Sequence, residues 1–443
     1  MDLVKDLLQK GLLHCFIWND EGFLFDPTSN SVFSCSAKDV KDTLEGHPSE
    51  EIIQDIKALL SKGFFHEEQV HFVDQRIYKS LCFIMTRGCN FRCPYCFEKG
   101  KSHSDDEVMS LPVIEKAFDF LVKNSGDRKV LECDFFGGEP LLAWEQVQKA
   151  IELSQRITAS IGKKFRFSLT TNASLLNPEM IQYLYDHNIS LILSQDGLPE
   201  NHNRFRISSR GKPTYEDVMN AILSVTQKWE EGYYVRGTYT KKNLHFLQDI
   251  QHLYSRGIQK ISFEPVVSEQ EEIGFQITDM KQIKDEYQRL SKWVLDTLDI
   301  DPNFSFYHFE LNLTHGACKE KLMTSCGAGV EYLSVSPTGE LYPCHQFDNN
   351  PSFKIGDVFQ GVNRPQVVET FKQSTNISSK SVCQRCWARY ICGGGCSANN
   401  YRMNGNLFTP WEMGCNIQKV RIEAALYVQV KNKKHSLLQE DTQ

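Results

Sequence analysis

The chain has no run of 18 apolar residues, so no segment reads as a membrane-spanning helix. It has no basic excess either. Its 49 Lys and Arg stand against 56 Asp and Glu, a formal charge of -7. With a pI near 6.0, that balance argues against nucleic acid as the main partner. The opening residues Met1-Asp2-Leu3-Val4-Lys5-Asp6 are amphipathic and carry acids, unlike a signal peptide. These absences lead to the expectation of a cytoplasmic protein that engages neither membrane nor nucleic acid. No internal repeat or low-complexity tract interrupts the 443 residues. At roughly 150 residues per domain, the length suggests two or three domains. A chain of this size buries enough apolar surface to fold without disulfides.

What the chain does have is cysteine, fifteen in all. In a reducing compartment these are not a disulfide framework. Cys15, Cys35, Cys82 and Cys133 are scattered and read as small buried hydrophobes. Cys89, Cys93 and Cys96 fall within eight residues, and eight more lie between Cys318 and Cys415. Clusters at short spacing read as metal sites.

Residues 1–76 form a first region. His14–Trp18 and Gly22–Phe25 are strand-like runs around the turn signal Asn19-Asp20-Glu21-Gly22, and Ser31–Phe33 offers a third. Ser36 and Ser49 each open a helix. Ile52, Ile53, Ile56, Leu59 and Leu60 give the second helix its apolar face. Three strands with helices predict a winged-helix-like domain. From Ser80 the pattern becomes strand–helix alternation. Strands are expected at Leu81–Thr86, Val130–Phe136, Phe165–Thr171, Ser190–Ser194, Tyr233–Thr240 and Lys260–Val267, with helices between them. Six βα units predict an α/β fold, a partial (βα)6 TIM-type barrel over 77–300, with its active site at the strands' C-terminal ends. Residues 301–430 lose the alternation and are rich in Cys, Gly and aromatics, which points to a region held by metal. Residues 431–443 are a polar tail.

The sharpest motif is Cys89-Asn90-Phe91-Arg92-Cys93-Pro94-Tyr95-Cys96, directly after the first barrel strand. Three thiolates in one loop suit three irons of a 4Fe-4S cluster and leave the fourth iron open, whereas an ordinary cluster takes four cysteines. Zinc sites usually pair two C-x-x-C knuckles, and no second knuckle is nearby. This C-x3-C-x2-C loop resembles the radical S-adenosylmethionine (SAM) superfamily. Gly137-Gly138-Glu139-Pro140 at the end of the second strand is similar to that superfamily's GGEP motif. The resemblance implies that Gly137, Gly138 and Glu139 hold the SAM amino group. It also implies that Tyr95, Thr171, Asn172, Ser194 and Arg206 line the SAM site and that Val267 meets the adenine. A reduced cluster would then split SAM to give a 5′-deoxyadenosyl radical. A barrel interior suits the task of shielding such a radical from water.

The C-terminal pattern runs Cys326, x12, Gly339, x4, Cys344, then Cys383-x2-Cys386-x5-Cys392-x3-Cys396, and finally Cys415. It resembles the SPASM extension of radical SAM enzymes, a C-terminal iron–sulfur domain. That resemblance implies two auxiliary 4Fe-4S clusters, and so three in all. Cys326, Cys344 and Cys396 would hold the first, with Cys318 a candidate fourth ligand. Cys383, Cys386, Cys392 and Cys415 would hold the second. Zinc is the plain alternative for this spacing.

Longer stretches, among them Leu131–Leu141, Tyr233–Thr240, Ile261–Val267, Leu341–Phe347 and Gly393–Cys396, resemble the thioether-forming peptide maturases of the SCIFF (six-cysteines-in-forty-five) and ranthipeptide type. The implied reaction joins a cysteine sulfur to a carbon of another residue in a ribosomally made precursor peptide. The implied partners are that cysteine-containing peptide with its leader and a one-electron donor such as flavodoxin or ferredoxin. The N-terminal region would capture the leader by strand addition. Arg236, Glu264 and His345 are candidates for the substrate channel. Two other readings stand beside this one. Anaerobic sulfatase-maturating enzymes share the barrel and the cysteine pattern, but carry an acid where His345 stands. A non-catalytic zinc-binding adaptor would leave the GGEP placement a coincidence. Gln195, where an aliphatic residue is expected, and Ala173, where glycine is common, depart from the pattern.

Overall fold

A computed structural model of the chain describes residues 2–67, 77–98, 107–311, 313 and 323–440. Its contacts divide into two compact units, each assembled from separated stretches. The first takes Met1–Asp74, Gln276–Cys326 and Ser374–Gln443, and the second Gln75–Phe275 and Gly327–Gln373.

The first unit begins with α1 (Asp2–Gln9), β1 (His14–Trp18), β2 (Glu21–Asp26), β3 (Ser31–Cys35), α2 (Ala37–Leu44) and α3 (Glu50–Ser61). The strands form an antiparallel sheet in the order β1-β2-β3. Asn19 and Asp20 make the two-residue reversal between β1 and β2 with φ of 49° and 65°. Short polar side chains tolerate that left-handed region, which matches the twist of a hairpin. Ser36 and Ser49 cap α2 and α3 by accepting from the Asp39 and Ile52 amides. Val40, Ile52 and Ile56 then pack with Cys15, Leu24 and Phe65 in one core. Asp26 is 1% exposed and organises the loop after β2. It accepts from the Thr28 amide at 2.9 Å, Ser29 Oγ at 2.7 Å and the Phe65 amide at 3.1 Å.

The other face of this sheet carries His14, Phe16, Trp18, Phe23 and Phe25, because side chains alternate along a strand. Such a surface needs cover, so residues 1–76 do not group by themselves. Trp18 Nε1 donates to Ser291 Oγ at 2.9 Å. His14 stacks on Trp387 with centroids 3.7 Å apart and pairs with Glu423 at 3.0 Å. Phe23 meets Tyr427 edge-on. The helices Met280–Ile300 and Glu412–Glu440 belong to the same unit.

In the second unit, β4 (Ser80–Thr86), β5 (Val130–Gly137), β6 (Lys164–Thr171), β7 (Ser190–Ser194), β8 (Tyr233–Tyr239) and β9 (Lys260–Pro265) lie side by side in chain order. Every neighbouring pair is parallel. The crossovers carry α4 (Leu111–Lys123), α5 (Trp144–Ile161), α6 (Pro178–Asp186), α7 (Pro199–Phe205), α8 (Tyr215–Thr226) and α9 (Phe246–Ser255). This is the α/β architecture expected from the alternation, with a parallel-dominated sheet consistent with a partial barrel. Beyond β4 the strand Tyr332–Val335 adds in parallel, and Glu340–Tyr342 and Gly356–Asp357 follow antiparallel. Leu131, Cys133 and Phe135 are buried on one face of β5, and Phe83 and Phe165 meet Phe118 of α4. Of the scattered cysteines, Cys15, Cys82 and Cys133 are buried and Cys35 is half-buried. No described helix is long and apolar enough to cross a membrane.

Removing the Asp26 carboxylate strands the buried Phe65 amide. Asp26→Ala is expected to cost about 2–3 kcal/mol, read as a lower urea midpoint.

Candidate active site

The C-terminal ends of the parallel strands bring the sequence motifs together. After Thr86, Arg87 and Gly88 lead into the three-cysteine loop, where Cys89 and Cys96 are exposed and Cys93 is half-buried. The loop is fastened by its backbone. Arg92 N–H donates to Ile207 O at 2.8 Å, and Ser209 N–H to Asn90 O at 2.7 Å. Asn90 also bonds Asn172 Nδ2 at 2.8 Å and Ser174 Oγ at 2.9 Å. The Phe91 amide points at Cys89 Sγ from 3.4 Å, a contact that suits a thiolate.

Gly137 and Gly138 press against the start of this loop. Gly138 N–H donates to Thr86 O and Glu139 N–H to Gly88 O, both at 2.9 Å. A Cβ on Gly137 would lie 2.3 Å from Thr86 O, and one on Gly138 2.2 Å from Gly88 O. Glu139 is 1% exposed. It accepts from the Leu141 amide at 3.1 Å, Thr171 Oγ1 at 2.6 Å and the Asn172 amide at 2.8 Å. Burial pushes its carboxyl up to about 7, against the pull of those bonds. The Glu139 side chain is thus a bracket between the ends of β5 and β6. Ala173, next on, has φ of 64°. That left-handed backbone explains why glycine is common at this position.

At the end of β7, Ser194 is half-buried and pairs in register with Arg236. Gln195 is fully buried, its amide donating to Gly197 O at 2.9 Å and accepting from Gly197 N–H. The unexpected polar residue is therefore satisfied by its own turn. Asp196 is the residue that sequence reasoning passed over, although it directly follows Ser194 and Gln195. It is fully buried. It accepts from Tyr95 OH at 2.5 Å and the Thr238 amide at 2.9 Å, and lies 3.0 Å from Arg206 Nε. The signal available was an acid closing an apolar strand. Arg206 also sits 5.7 Å from the Tyr95 ring centroid, and its buried Nε has no well-directed acceptor. His202 faces the Asp196 amide at 3.4 Å and Thr214 Oγ1 at 3.1 Å, and burial pushes it down to about 3. Asp249 closes the loop from below. It accepts from the Leu198 amide at 2.9 Å and Asn201 at 2.8 Å, and burial pushes it up to about 6. Val267 is half-buried just past β9.

The three channel candidates separate into two places. Arg236 and Glu264, on β8 and β9, are 4.0 Å apart. His345 lies elsewhere, bonding Tyr332 OH through Nδ1 at 2.9 Å and packing on Phe136 with centroids 4.4 Å apart. It lines a small, partly open recess with Ile84, Phe136, Gly137 and Gly138. Arg87 and Asp348, joined by bonds of 2.8 and 3.0 Å, line it as well.

Among the C-terminal cysteines, Cys383, Cys386, Cys392, Cys396, Cys415 and Cys326 lie in the first unit and Cys344 in the second. Cys318 lies outside the described residues. Cys383, Cys386, Cys392 and Cys415 are within electrostatic reach of one another. The amides of Gly394 and Gly395 bond the Cys392 sulfur. Among the described residues, no three His, Cys, Asp or Glu side chains converge as they would on a bound metal ion. Gathered thiols with amides aimed at sulfur are nonetheless the donor chemistry of an iron–sulfur cluster. The three thiols of the loop after β4 offer the same donor chemistry, with the Arg206 guanidinium acting electrostatically on Cys93.

Residues 83–237 match the Radical SAM superfamily, a span that holds the cysteine loop, the two glycines and Asp196. That span is a radical SAM domain, which implies a 4Fe-4S cluster and SAM. The chain's relatives are distant. The radical SAM cyclopropyl synthase TigE of Paramaledivibacter caminithermalis is 20% identical over 78% of this chain and 73% of its own. The cysteine-type anaerobic sulfatase-maturating enzyme of Clostridium perfringens is 24% identical over 70% of this chain and 86% of its own. With a Methanocaldococcus jannaschii protein, 26% identical, the alignment covers 42% of this chain and 62% of that one. The solved structure of native anSMEcpe with bound AdoMet shares the fold, with a TM-score of 0.66 at 21% identity. That likeness covers 81% of this chain and 99% of that one. Streptococcus suis SuiB, bound to S-adenosylmethionine, shares it with a TM-score of 0.53 at 13% identity, over 91% of this chain and 98% of that one.

Three outcomes follow from the buried acids and their partners. Asp196→Asn leaves Arg206 without its anion and is expected to cost about 3–5 kcal/mol in unfolding free energy. Tyr95→Phe, which removes only one bond, should cost about 1 kcal/mol. The Asp249 carboxyl holds its proton more tightly when folded than when unfolded. Its contribution to stability is therefore full below about 3.8 and lost as pH rises through about 6. Asp249→Asn should show a flatter melting temperature than the parent between pH 4 and 7 in calorimetry.

Proposed function

We propose that this enzyme installs thioether cross-links, cysteine sulfur to carbon, in a ribosomally made precursor peptide. The observation that carries the reading is the N-terminal three-stranded sheet, in which β3 is a terminal strand. A sheet edge takes up an extended peptide by strand addition, with backbone bonds for affinity and pockets for alternate side chains. The winged-helix-like reading of residues 1–76 belongs to this proposal. Maturing a sulfatase needs no leader capture. Nearly all of anSMEcpe is matched by 81% of this chain, which leaves this chain with extra length. SuiB, matched over more of this chain, has also been solved bound to its precursor peptide SuiA.

Cys89, Cys93 and Cys96 would hold the SAM-binding cluster. Tyr95, Gly137, Gly138, Glu139, Thr171, Asn172, Ser194, Arg206 and Val267 would shape the SAM pocket. When bound, the cluster and SAM supply a 5′-deoxyadenosyl radical, able to take a hydrogen atom from carbon. Ile84 and Phe136 put apolar side chains against the recess beside the two glycines. His345, held by Tyr332, faces that recess where sulfatase-maturating enzymes carry an acid. Each cross-link exchanges one S–H and one C–H for an S–C bond, so two hydrogens leave the peptide. The C-terminal cysteines would hold two further clusters. A carrier such as flavodoxin or ferredoxin would exchange the electrons.

Sulfatase-type maturation is the second reading, favoured by the fold likeness to anSMEcpe. Anaerobic incubation of the reconstituted enzyme with SAM, reductant and a cysteine-rich precursor peptide separates the two. The expected product is lighter by two hydrogens per cross-link, keeps all its sulfur and has fewer alkylatable thiols. Loss of sulfur from a sulfatase-derived cysteine peptide, with the precursor unchanged, favours the second reading. Cys93→Ala should abolish deoxyadenosine formation. Cys383→Ala should retain SAM binding and lose the cross-linked product.

A further inference from the structure

Lys380 is 2% exposed, and its Nζ donates to Gly394 O at 2.8 Å. That carbonyl lies between Cys392 and Cys396, in the run Gly393-Gly394-Gly395. All three glycines have positive φ, of 66°, 90° and 74°. The turn they make sends the Gly394 and Gly395 amides to the Cys392 sulfur. It also returns the Gly394 carbonyl to Lys380. From the other side, Cys383 N–H donates to Lys380 O at 2.9 Å. The amine is thereby placed where burial works against its charge and Cys383, Cys392, Cys415 and Cys396, as anions, work for it.

A buried ammonium is costly unless an anion accompanies it. One neutral carbonyl does not supply that anion, and the surrounding sulfurs do as thiolates. We propose that Lys380 is the counter-cation of the site formed by Cys383, Cys386, Cys392 and Cys415, and that its fixed charge makes the cluster held there easier to reduce. The inference rests on these cysteines holding an iron–sulfur cluster. One electron from a one-electron carrier adds one negative charge to the site, and a neighbouring cation offsets that increase. Net charge and hydrogen bonds to sulfur are the levers by which a protein sets such a potential. Lys380 touches no reacting atom and acts as a positioning charge.

The test uses the full chain with Cys89, Cys93 and Cys96 changed to Ala, which removes the SAM-binding cluster. Iron and acid-labile sulfide are measured first. Zinc without sulfide overturns the cluster reading and this inference with it. Three variants are then titrated with dithionite and followed by electron paramagnetic resonance. Lys380→Gln keeps a donor for Gly394 O without the charge, Lys380→Met removes both, and Lys380→Arg keeps the charge. Gln and Met are expected to make one of the remaining clusters at least tenfold harder to reduce, about 59 mV for one electron. Arg should stay within twofold of the parent. An unchanged midpoint in Lys380→Gln, with iron and sulfide intact, overturns the inference and leaves the cluster reading standing. An equal shift in Arg and Gln overturns it as well, since geometry and not charge would then be at work. Loss of iron and sulfide in Gln and Met, with retention in Arg, overturns tuning in favour of a role in cluster assembly.

Discussion

The close approach of two backbones underlies the rest of the site. Gly137 and Gly138 lie so near Thr86 and Gly88 that no side chain fits between them. Two backbone bonds then tie the end of β5 to the root of the cysteine loop. Glu139 carries the connection on to β6, and Asn172 carries it back to the loop through Asn90. Three strand ends are thereby fixed to one another by short, mostly buried bonds. Preorganisation of this kind lets a loop of exposed thiols hold its shape with little regular structure of its own.

A second buried network, centred on Asp196, draws Tyr95, Arg206 and the Thr238 amide to one carboxylate. Tyr95 comes from the cysteine loop, Arg206 from just after α7 and Thr238 from β8. Neutral His202 extends the network to Thr214. One acid thus joins three segments that are far apart in the sequence. Its own burial makes any loosening costly, because an uncompensated guanidinium would remain.

Motifs whose meaning lies in close covalent spacing were legible in the sequence. The C-x3-C-x2-C loop, the paired glycines and the βα alternation all come out where the pattern put them, and at the same ends of the strands. Relations between distant segments were not legible. Nothing local to Asp196 distinguishes it from an ordinary strand-end acid, and its partners lie 101 and 10 residues away in the sequence. Gln195 and Ala173 looked like departures because their compensations are backbone features, a self-satisfying turn and a left-handed φ. The N-terminal sheet was read as a body of its own because its strands and helices are contiguous. Its aromatic face is completed by Ser291, Trp387, Glu423 and Tyr427, which no short window of sequence contains.

That last feature bears on how the protein is made. Phe16, Trp18 and Phe23 emerge from the ribosome long before Tyr427, which follows Phe23 by 404 positions in the sequence. At about 5–20 residues per second, roughly 400 residues of elongation keep that aromatic face uncovered for about 20–80 s. A nascent chain with such a surface needs shelter from other chains throughout that interval. A peptide-binding chaperone acting on the nascent β1–β2 hairpin would protect it until the helix Glu412–Glu440 arrives.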